Sequence, residues 1–469
     1  MKSRAFSRGC GYALLLLCSA ARCCEAAMPA ELGRALYQGH RPWQLGAAAT
    51  TAGLPAEFSA CARCHGPLGE GGIEGGQPIP PLDSGRLFRE DGGLPAFAND
   101  EAVLAAIEKG AGRGGRSLSM AMPRFRLKAA ERRALIAYLH RLGSPADLPP
   151  GVSHDRVRIG VPIPTRAGDT AAMSIQKGLL ETVDAANAAG GIHGRHVSLH
   201  FAPLGEIQRL MAGNQLYALA GGWLGSEAGV ESGRELEDWQ RRFRVSHVAS
   251  LTPRVETADL NTSWTAPLLP SLRELYTGLV QAMRDACPGV GTEVLLGSRK
   301  PWDRLGIPTS ASVDNSGAVR VFMVGKQASD SLRQLLTNKT QRGAACLGCL
   351  TLMHAIPADV PPGWRVFAAL PVPTAMLADL AARRASIWES LGRLAGTALV
   401  ESLAEAGPRL HERSLLQALA RFNGRPLEPG LRLVFSPARM HGFPPEIIES
   451  APSTPASTSF TAVHSSLGD

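Results

Sequence analysis

The sequence is poor in aromatic residues and has no strongly basic segment. Phe, Trp and Tyr make up 5% of the 469 residues, and the formal net charge of +8 comes from 49 Lys and Arg against 41 Asp and Glu. No run of Lys or Arg resembles the basic arm of a DNA-binding or RNA-binding protein. We therefore expect no nucleic acid among its partners.

Long hydrophobic runs are missing after the N-terminal segment. No later segment reaches the roughly 18 consecutive apolar residues of a transmembrane helix, so we expect no transmembrane segment in the mature protein. The first residues include Lys2, Arg4 and Arg8, and the short apolar run GYALLLLCSAA follows. This order is typical of a secretory signal peptide.

The signal peptide is predicted to span residues 1–26. Cleavage after Ala21 and cleavage after Ala26 both fit the small-residue rule, and a lipoprotein anchored through Cys23 or Cys24 is an alternative. Export leads to an oxidising compartment, most simply the periplasm.

Two changes in composition divide the chain. Gly-rich sequence gives way, after the Pro-rich and Gly-rich segment GSPADLPPGVSHD, to alternating strand-like and helix-like segments. The sequence therefore predicts a signal peptide at 1–26, a first domain at 28–148, a linker at 149–156, a second domain at 157–450 and a disordered tail at 451–469.

The strongest motif is Cys61-Ala62-Arg63-Cys64-His65. Two thiols at this spacing match the two vinyl groups of haem, and the next imidazole reaches the iron, so the motif indicates one covalently attached haem c. A dithiol redox pair, a zinc half-site and a plain disulfide are the alternatives. Zinc would need further ligands, and no second Cys pair or H-x3-H lies nearby in the sequence.

The order helix, C-x-x-C-H, Gly/Pro loop, helix, Met loop, helix resembles a class I cytochrome c. One of these helices is predicted at 99–110, between Asn99 and Gly110. In the loop, Met122 is followed by Pro123 and Phe125, as in the M-P-x-F loop of that family. The resemblance implies an all-α domain in which Met122 is the second axial ligand, with Met120 as the alternative.

The resemblance has two further implications for the iron site. A proline carbonyl, from Pro80 or Pro81, should orient the His65 ring. With both axial positions filled, no position is open for dioxygen or peroxide, so we expect electron transfer and no enzymatic activity.

Basic residues are concentrated around the predicted Met loop. Together they would steer an acidic redox partner, such as a periplasmic dehydrogenase or oxidase, and a solvated basic face without a dedicated partner is the alternative. The residues are Arg113, Arg116, Arg124, Arg126, Lys128, Arg132 and Arg133.

The second domain begins with a strand, a loop, a helix and another strand, which is the order of an α/β domain with a parallel sheet. Three segments resemble type I periplasmic solute-binding proteins of the leucine/isoleucine/valine-binding family of ABC importers. They are IGVPIPT, KGLLETVDAANAAGGIHGR and the C-terminal LLQALARFNGRPLEPGLRLVFSPARMHGFPPEII. The resemblance implies two α/β lobes with a small-molecule cleft between them.

The same resemblance assigns ligand contacts to two loops of the first lobe. Ser226, Ser250 and Thr252 are the candidates there, and capping of a helix is the alternative role for each hydroxyl. Trp223 is large where the family has small residues, and the Gly-Asp-x-Tyr-Gly loop of the second lobe is absent. Amino-acid specificity therefore does not carry over.

Three cysteines lie in the second domain. Leu350 follows the pair Cys346 and Cys349, so this pair is not a second haem site. In the periplasm we expect a structural disulfide between two of Cys287, Cys346 and Cys349, with a redox-active dithiol as the alternative.

These features predict a periplasmic c-type cytochrome that carries electrons through a His/Met-ligated haem. Its solute-binding-like domain would dock a partner or sense a small molecule, in the service of a periplasmic dehydrogenase such as a quinoprotein. The alternative is the substrate-binding receptor of an ABC-type, amino-acid-like importer with an accessory cytochrome.

Overall fold

The computed structural model describes residues 29–41, 44–45, 60–90, 93–165, 168–225, 227–256, 263–287, 292–297, 319–324, 346–350, 365–428, 431–435 and 442–450. The predicted signal peptide at 1–26, the predicted tail at 451–469 and Ser226 lie outside these residues. The chain divides into two compact units, Met1–Leu148 and Pro149–Asp469.

The first unit is mainly helical. Its helices are α1 (29–37), α2 (Cys61–His65), α3 (Ser84–Leu87), α4 (Asp100–Lys109) and α5 (Ala129–Leu139). Two short antiparallel pairs add to the predicted all-α fold: β1 (Gln44–Leu45) with β4 (Phe125–Arg126), and β2 (Gly72–Glu74) with β3 (Gln77–Ile79). The Gly75-Gly76 turn permits the second pair, because both residues have positive φ.

Helix α4 begins and ends where its sequence predicts. The side chain of Asn99 accepts a hydrogen bond from the N–H of Ala102, and Gly110 ends the helix with a φ of 76° in the left-handed region. An N-cap side chain and a C-terminal glycine satisfy backbone groups that the helix itself leaves unpaired. The helix predicted at 99–110 is therefore confirmed.

Helices α1 and α5 cross at close range. A Cβ on Gly33 would lie 2.0 Å from the carbonyl oxygen of Ala134, so only glycine fits at this crossing. Nearby, Arg34 forms a 2.9 Å ion pair with the buried carboxylate of Asp147 and donates to the carbonyl of Leu148. The N-terminal helix is thus joined to the C-terminal end of the unit.

The segment predicted as a linker, 149–156, belongs to the second unit. The N–H of Gly151 donates to the carbonyl of Asn214, and the Gly151 carbonyl accepts from the N–H of Arg158. Gly151 has a φ of 73°, and a Cβ on it would lie 2.2 Å from the backbone of Leu216. These contacts pack the segment against the edge of the second unit.

Among the described residues, the second unit contains two five-stranded β-sheets and one two-stranded sheet. Its first sheet has the order β6-β5-β7-β8-β9, and every neighbouring pair is parallel. The strands are β5 (Arg156–Ile163), β6 (His196–Pro203), β7 (Ala218–Ala220), β8 (His247–Ser250) and β9 (Thr265–Pro267).

The second sheet has the order β10-β11-β12-β13-β16 and is parallel except for its last pair. Its strands are β10 (Thr292–Gly297), β11 (Val319–Val324), β12 (Cys346–Leu350), β13 (Arg365–Leu370) and β16 (Glu446–Ser450). A separate antiparallel pair joins β14 (Asn423–Glu428) and β15 (Leu431–Val434). Two sheets of this kind give the two-lobed α/β architecture that the sequence predicts.

Helices cover the two sheets. They are α6 (Thr170–Ala188), α7 (Leu204–Ala212), α8 (Glu227–Phe243), α9 (Leu272–Ala286), α10 (Thr374–Arg383), α11 (Ile387–Ala406) and α12 (Ser414–Leu419). Among the helices that the structure describes, none combines the length and hydropathy needed to cross a membrane.

A disulfide joins Cys287, which follows α9, to Cys346 on β12. Cys349, on the same strand, is a free and buried thiol. Residues three apart on a strand point to opposite faces of the sheet. Accordingly, Cys346 packs with Leu272 and the α9 core, whereas Cys349 packs in the main core. The alternative of a Cys346–Cys349 dithiol is wrong for this geometric reason.

Candidate functional site

Helix α2 carries the C-x-x-C-H motif and presents its three reactive side chains together. Cys61 and Cys64 are free thiols, both partly buried, and His65 is buried with 8% of its surface exposed. Residues three and four apart lie on the same face of a helix. The motif thus brings two thiols and an imidazole to one side of α2.

The His65 ring is oriented by Pro80. Its Nδ1 lies 2.8 Å from the carbonyl oxygen of Pro80, which decides between the two prolines considered from sequence. Burial lowers the pKa of His65, and the hydrogen bond to Pro80 opposes this effect. A neutral ring that donates from Nδ1 has a lone pair on Nε2, as a metal-ligating histidine requires.

The two thiols are protonated in the unmodified chain. Burial is the main cause that raises the pKa of Cys61 to about 12 and that of Cys64 to about 11, and the Sγ of Cys64 donates to Glu74 at 2.8 Å. No group of three or more His, Cys, Asp and Glu side chains in the described residues is arranged to hold a metal ion. Two thiols and an imidazole on one side of a helix are the residue types that haem attachment uses.

The backbone after His65 is held by α1 and its C-terminal end. The Tyr37 hydroxyl donates to the carbonyl of Gly66 at 2.8 Å, and the side-chain amide of Gln38 donates to the carbonyl of Pro67 at 2.8 Å. The N–H of Gly71 donates to the carbonyl of His65. Sequence reasoning missed Tyr37 and Gln38, because helical periodicity marks them only as packing positions.

The two candidate methionines have different surroundings. Met120 is 83% exposed, whereas Met122 is partly buried. The loop that carries them lies next to Arg124, whose guanidinium hydrogen-bonds the carbonyls of Leu118, Ser119 and Met122. Burial favours Met122 over Met120, and its ligation to iron stays a prediction.

The predicted basic surface is smaller than its sequence indicates. Arg124 is engaged with the Met loop, and Arg132 forms ion pairs with Glu101 and Glu108 at 2.5 and 2.8 Å. Arg113 donates to the carbonyl of Arg86. The remaining cations of the set are exposed: Arg116, Arg126, Lys128 and Arg133.

Two of the ligand candidates of the second unit lie at the carboxyl edge of its first sheet. Ser250 is the last residue of β8, Thr252 comes two residues later, and both are buried. Within the part of the chain that the structure describes, the Oγ1 of Thr252 has no hydrogen-bond partner. The third candidate, Ser226, lies outside the described residues.

Trp223 lies at the same edge, three residues after the end of β7. Its N–H donates to the carbonyl of Pro162 on β5, and its ring contacts Trp388 of α11 with centroids 4.8 Å apart. In a sheet of this order, the crevice for ligands lies between the carboxyl ends of β5 and β7. Trp223 is 4% exposed, so its side chain is buried in the core beside these strand ends.

An ion pair that sequence reasoning missed lies close to Thr252 in the chain. The Nε of Arg254 lies 2.6 Å from the Oε1 of Glu237 on α8, and 8% and 21% of the two side chains are exposed. Among the described residues, the Nη1 of Arg254 has no hydrogen-bond partner. Burial raises the pKa of Glu237 and lowers that of Arg254, and their mutual attraction only partly opposes both effects.

Comparison with a family model identifies a domain within the first unit. Residues 52–143 match the family model described as cytochrome c. The first unit therefore contains the cytochrome c domain predicted from its motifs. A search of curated proteins found no match.

Among solved structures, the chain is similar to a possible leucine/isoleucine/valine-binding protein from Rhodopirellula baltica SH 1, with 14% identity, 64% of this chain and 95% of that chain covered, and a TM-score of 0.43. A branched chain amino acid ABC transporter from Thermus thermophilus with bound valine is 13% identical, with 66% of this chain and 99% of that chain covered and a TM-score of 0.42. A substrate-binding periplasmic protein from Ralstonia solanacearum is 14% identical, with 63% of this chain and 98% of that chain covered and a TM-score of 0.43.

Proposed function

We propose that this protein is a periplasmic electron carrier with one covalently attached haem c. The observation that carries the proposal is the arrangement of α2, where Cys61, Cys64 and His65 share one side and the Nδ1 of His65 is held by the Pro80 carbonyl at 2.8 Å. This leaves the His65 Nε2 for iron and two thiols for the vinyl groups.

Each residue has a separate task in this proposal. The thiols of Cys61 and Cys64 would hold the haem covalently, and His65 would bind the iron. The Sδ of Met122 would be the second ligand of the iron. The bound haem supplies reversible one-electron chemistry between ferrous and ferric iron, and a thioether ligand favours the ferrous form.

The second unit serves in this proposal to dock a redox partner, such as a periplasmic quinoprotein dehydrogenase. The side chain of Trp223, packed on Trp388 at the carboxyl edge of the first sheet, supports docking over capture of a solute. The exposed cations Arg116, Arg126 and Arg133 would attract an acidic partner to the cytochrome unit. The protein would then be a carrier and no enzyme.

The electron-carrier function is tested by mixing the full-length haem protein with candidate periplasmic dehydrogenases and their substrates. Substrate-dependent reduction of the haem is expected, at a rate that falls as salt is added because screening weakens steering. The Arg116→Gln, Arg126→Gln, Arg133→Gln triple variant should be slower at low salt and match the parent at high salt. Failure of every donor to reduce the haem would contradict the proposal.

The second candidate function is that of a small-molecule receptor with an accessory cytochrome. It is favoured by the buried Oγ1 of Thr252 and the buried Nη1 of Arg254, next to the carboxyl edge of the first sheet, for which the described residues supply no hydrogen-bond partner. Amino acids and small carboxylates are the ligands to screen by thermal unfolding, because a ligand that binds only the folded state raises its stability. A flat response across the panel would exclude this class of ligand.

A further inference from the structure

The guanidinium of Arg124 binds the backbone of the loop that carries Met122. Its Nη1 donates to the carbonyl oxygen of Met122 at 2.5 Å. Its Nη2 donates to the carbonyl oxygens of Leu118 at 3.0 Å and of Ser119 at 3.3 Å. One side chain therefore contacts both ends of the segment 118–122.

Gly110 makes room for this arrangement. A Cβ on Gly110 would lie 2.4 Å from the Nη2 and 2.5 Å from the Nε of Arg124, so the guanidinium lies against the bare backbone of this glycine. The carbonyl of Gly110 also accepts a hydrogen bond of 2.8 Å from the N–H of Leu118. The end of α4 and the Met loop are thus connected through Arg124.

The loop has few other hydrogen bonds to keep its shape. The N–H of Met122 donates to the carbonyl of Ser119 at 3.2 Å, and the N–H of Ala121 donates to the Ser119 hydroxyl at 3.2 Å. Both distances are at the long end of the normal range. The bonds from Arg124 are charge-assisted, and its planar fork is already arranged to reach several acceptors.

We propose that Arg124 is the positioning residue that holds the Met122 loop in the conformation in which Met122 would bind the haem iron. This inference rests on the proposed function, in which the Sδ of Met122 is the second axial ligand. A neutral thioether remains on the iron only while its loop is held in place, because other ligands compete for the same position. Arg124 then acts inside the cytochrome unit and takes no part in docking.

The test is an imidazole titration of the ferric full-length protein. Imidazole displaces a thioether from haem iron and removes the weak sulfur-to-iron absorption band at the red end of the spectrum. In the Arg124→Gln variant we expect the affinity for imidazole to rise on the order of 10-fold or more, because charge-assisted bonds no longer oppose opening of the loop.

Arg126→Gln is the matched control. Arg126 lies two residues further on, in β4, and is exposed, so its removal changes the net charge equally and leaves the loop contacts intact. We expect parental imidazole affinity in this variant. An equal increase of imidazole affinity in both variants would reveal a charge effect and overturn the proposal. Parental imidazole affinity in Arg124→Gln would overturn it as well.

Two further variants apply if Arg124→Gln fails to fold. Arg124→Lys keeps the charge and loses the fork, and Gly110→Ala places a methyl group where the guanidinium lies. Both should bind imidazole more tightly than the parent, and parental affinity in both would overturn the proposal.

Met122→Leu separates this inference from the function on which it rests. If the sulfur-to-iron band persists in Met122→Leu, the ligand assignment fails, and the role of Arg124 fails with it. If the band disappears in Met122→Leu while imidazole affinity is parental in Arg124→Gln, only the positioning role fails.

Discussion

The hydroxyl of Tyr37 donates a 2.8 Å hydrogen bond to the carbonyl oxygen of Gly66, the residue after the predicted proximal histidine. Burial is the main cause that raises the pKa of Tyr37, and the electrostatic effect of Cys61 is the second cause. The phenol therefore remains protonated and available as a donor. The Tyr37 ring packs edge-on against Tyr138 with centroids 5.5 Å apart. One side chain of α1 thus contacts both the haem-attachment segment and α5.

The Tyr37→Phe variant should lose the hydrogen bond and keep the ring packing. We expect the free energy of unfolding to fall by about 1 kcal/mol, the usual net contribution of one such bond. Chemical denaturation followed by haem absorbance measures this change. Unaltered stability would show that the bond to Gly66 contributes nothing net to the fold.

His247 should make the second unit sensitive to acid. It is fully buried, its Nε2 lies 2.7 Å from the Gly221 carbonyl oxygen, and burial lowers its pKa to about 4. The unfolded chain, with an ordinary histidine pKa of about 6.5, binds this proton more readily than the folded chain between those values. The unfolding free energy should therefore decrease by about 3 kcal/mol as the pH falls from about 6.5 to about 4.

The His247→Gln variant isolates this contribution. It should show a smaller pH slope than the parent across the same interval, while groups common to both proteins cancel in the comparison. Denaturant titrations at several pH values, followed by tryptophan fluorescence, give the two slopes. Identical slopes would mean that this histidine binds its proton equally readily in the folded and unfolded chains.

Gly178 lies at a close contact between α6 and α11. A Cβ on Gly178 would lie 2.0 Å from the carbonyl oxygen of Glu389, so Gly178→Ala requires the helices to separate and should cost about 3 kcal/mol of stability. Gly205→Ala, in α7, meets nothing within 4 Å and should be neutral or stabilising by up to about 1 kcal/mol. Thermal unfolding of both variants checks this difference. A similar effect in both would contradict the close approach.

The three cysteines of the second unit should differ in reactivity. Removal of the Cys287–Cys346 bond, by alanine at both positions, should lower the unfolding free energy by about 2–4 kcal/mol.

Cys349 is 3% exposed and burial raises its pKa to about 12, so it should react with a thiol reagent only after unfolding. Peptide mapping after alkylation identifies the labelled cysteine. Rapid labelling of Cys349 in the native protein would contradict its burial.

Local patterns predicted a large part of the architecture. Asn99 and Gly110 predicted the two ends of α4, because a cap and a C-terminal glycine act on neighbouring backbone groups. The alternation of strand-like and helix-like segments from Val157 predicted β5, α6 and β6 in order. The predicted linker at 149–156 stays a prediction, because the Pro and Gly content that suggests a linker also permits the tight turn at Gly151. Composition does not distinguish these two uses of glycine.

The sequence by itself determined the haem-attachment motif, because Cys61, Cys64 and His65 are close in the chain and one helical turn brings them together. Tertiary structure decided the contacts between distant residues: Pro80 rather than Pro81 beside His65, Cys287 rather than Cys349 beside Cys346, and Trp388 against Trp223. Tertiary structure also showed that Arg124, which the sequence assigned to a docking surface, hydrogen-bonds the backbone of the Met loop. These outcomes depend on which faces of helices and strands meet, and that information is held by the packed chain and not by any short segment.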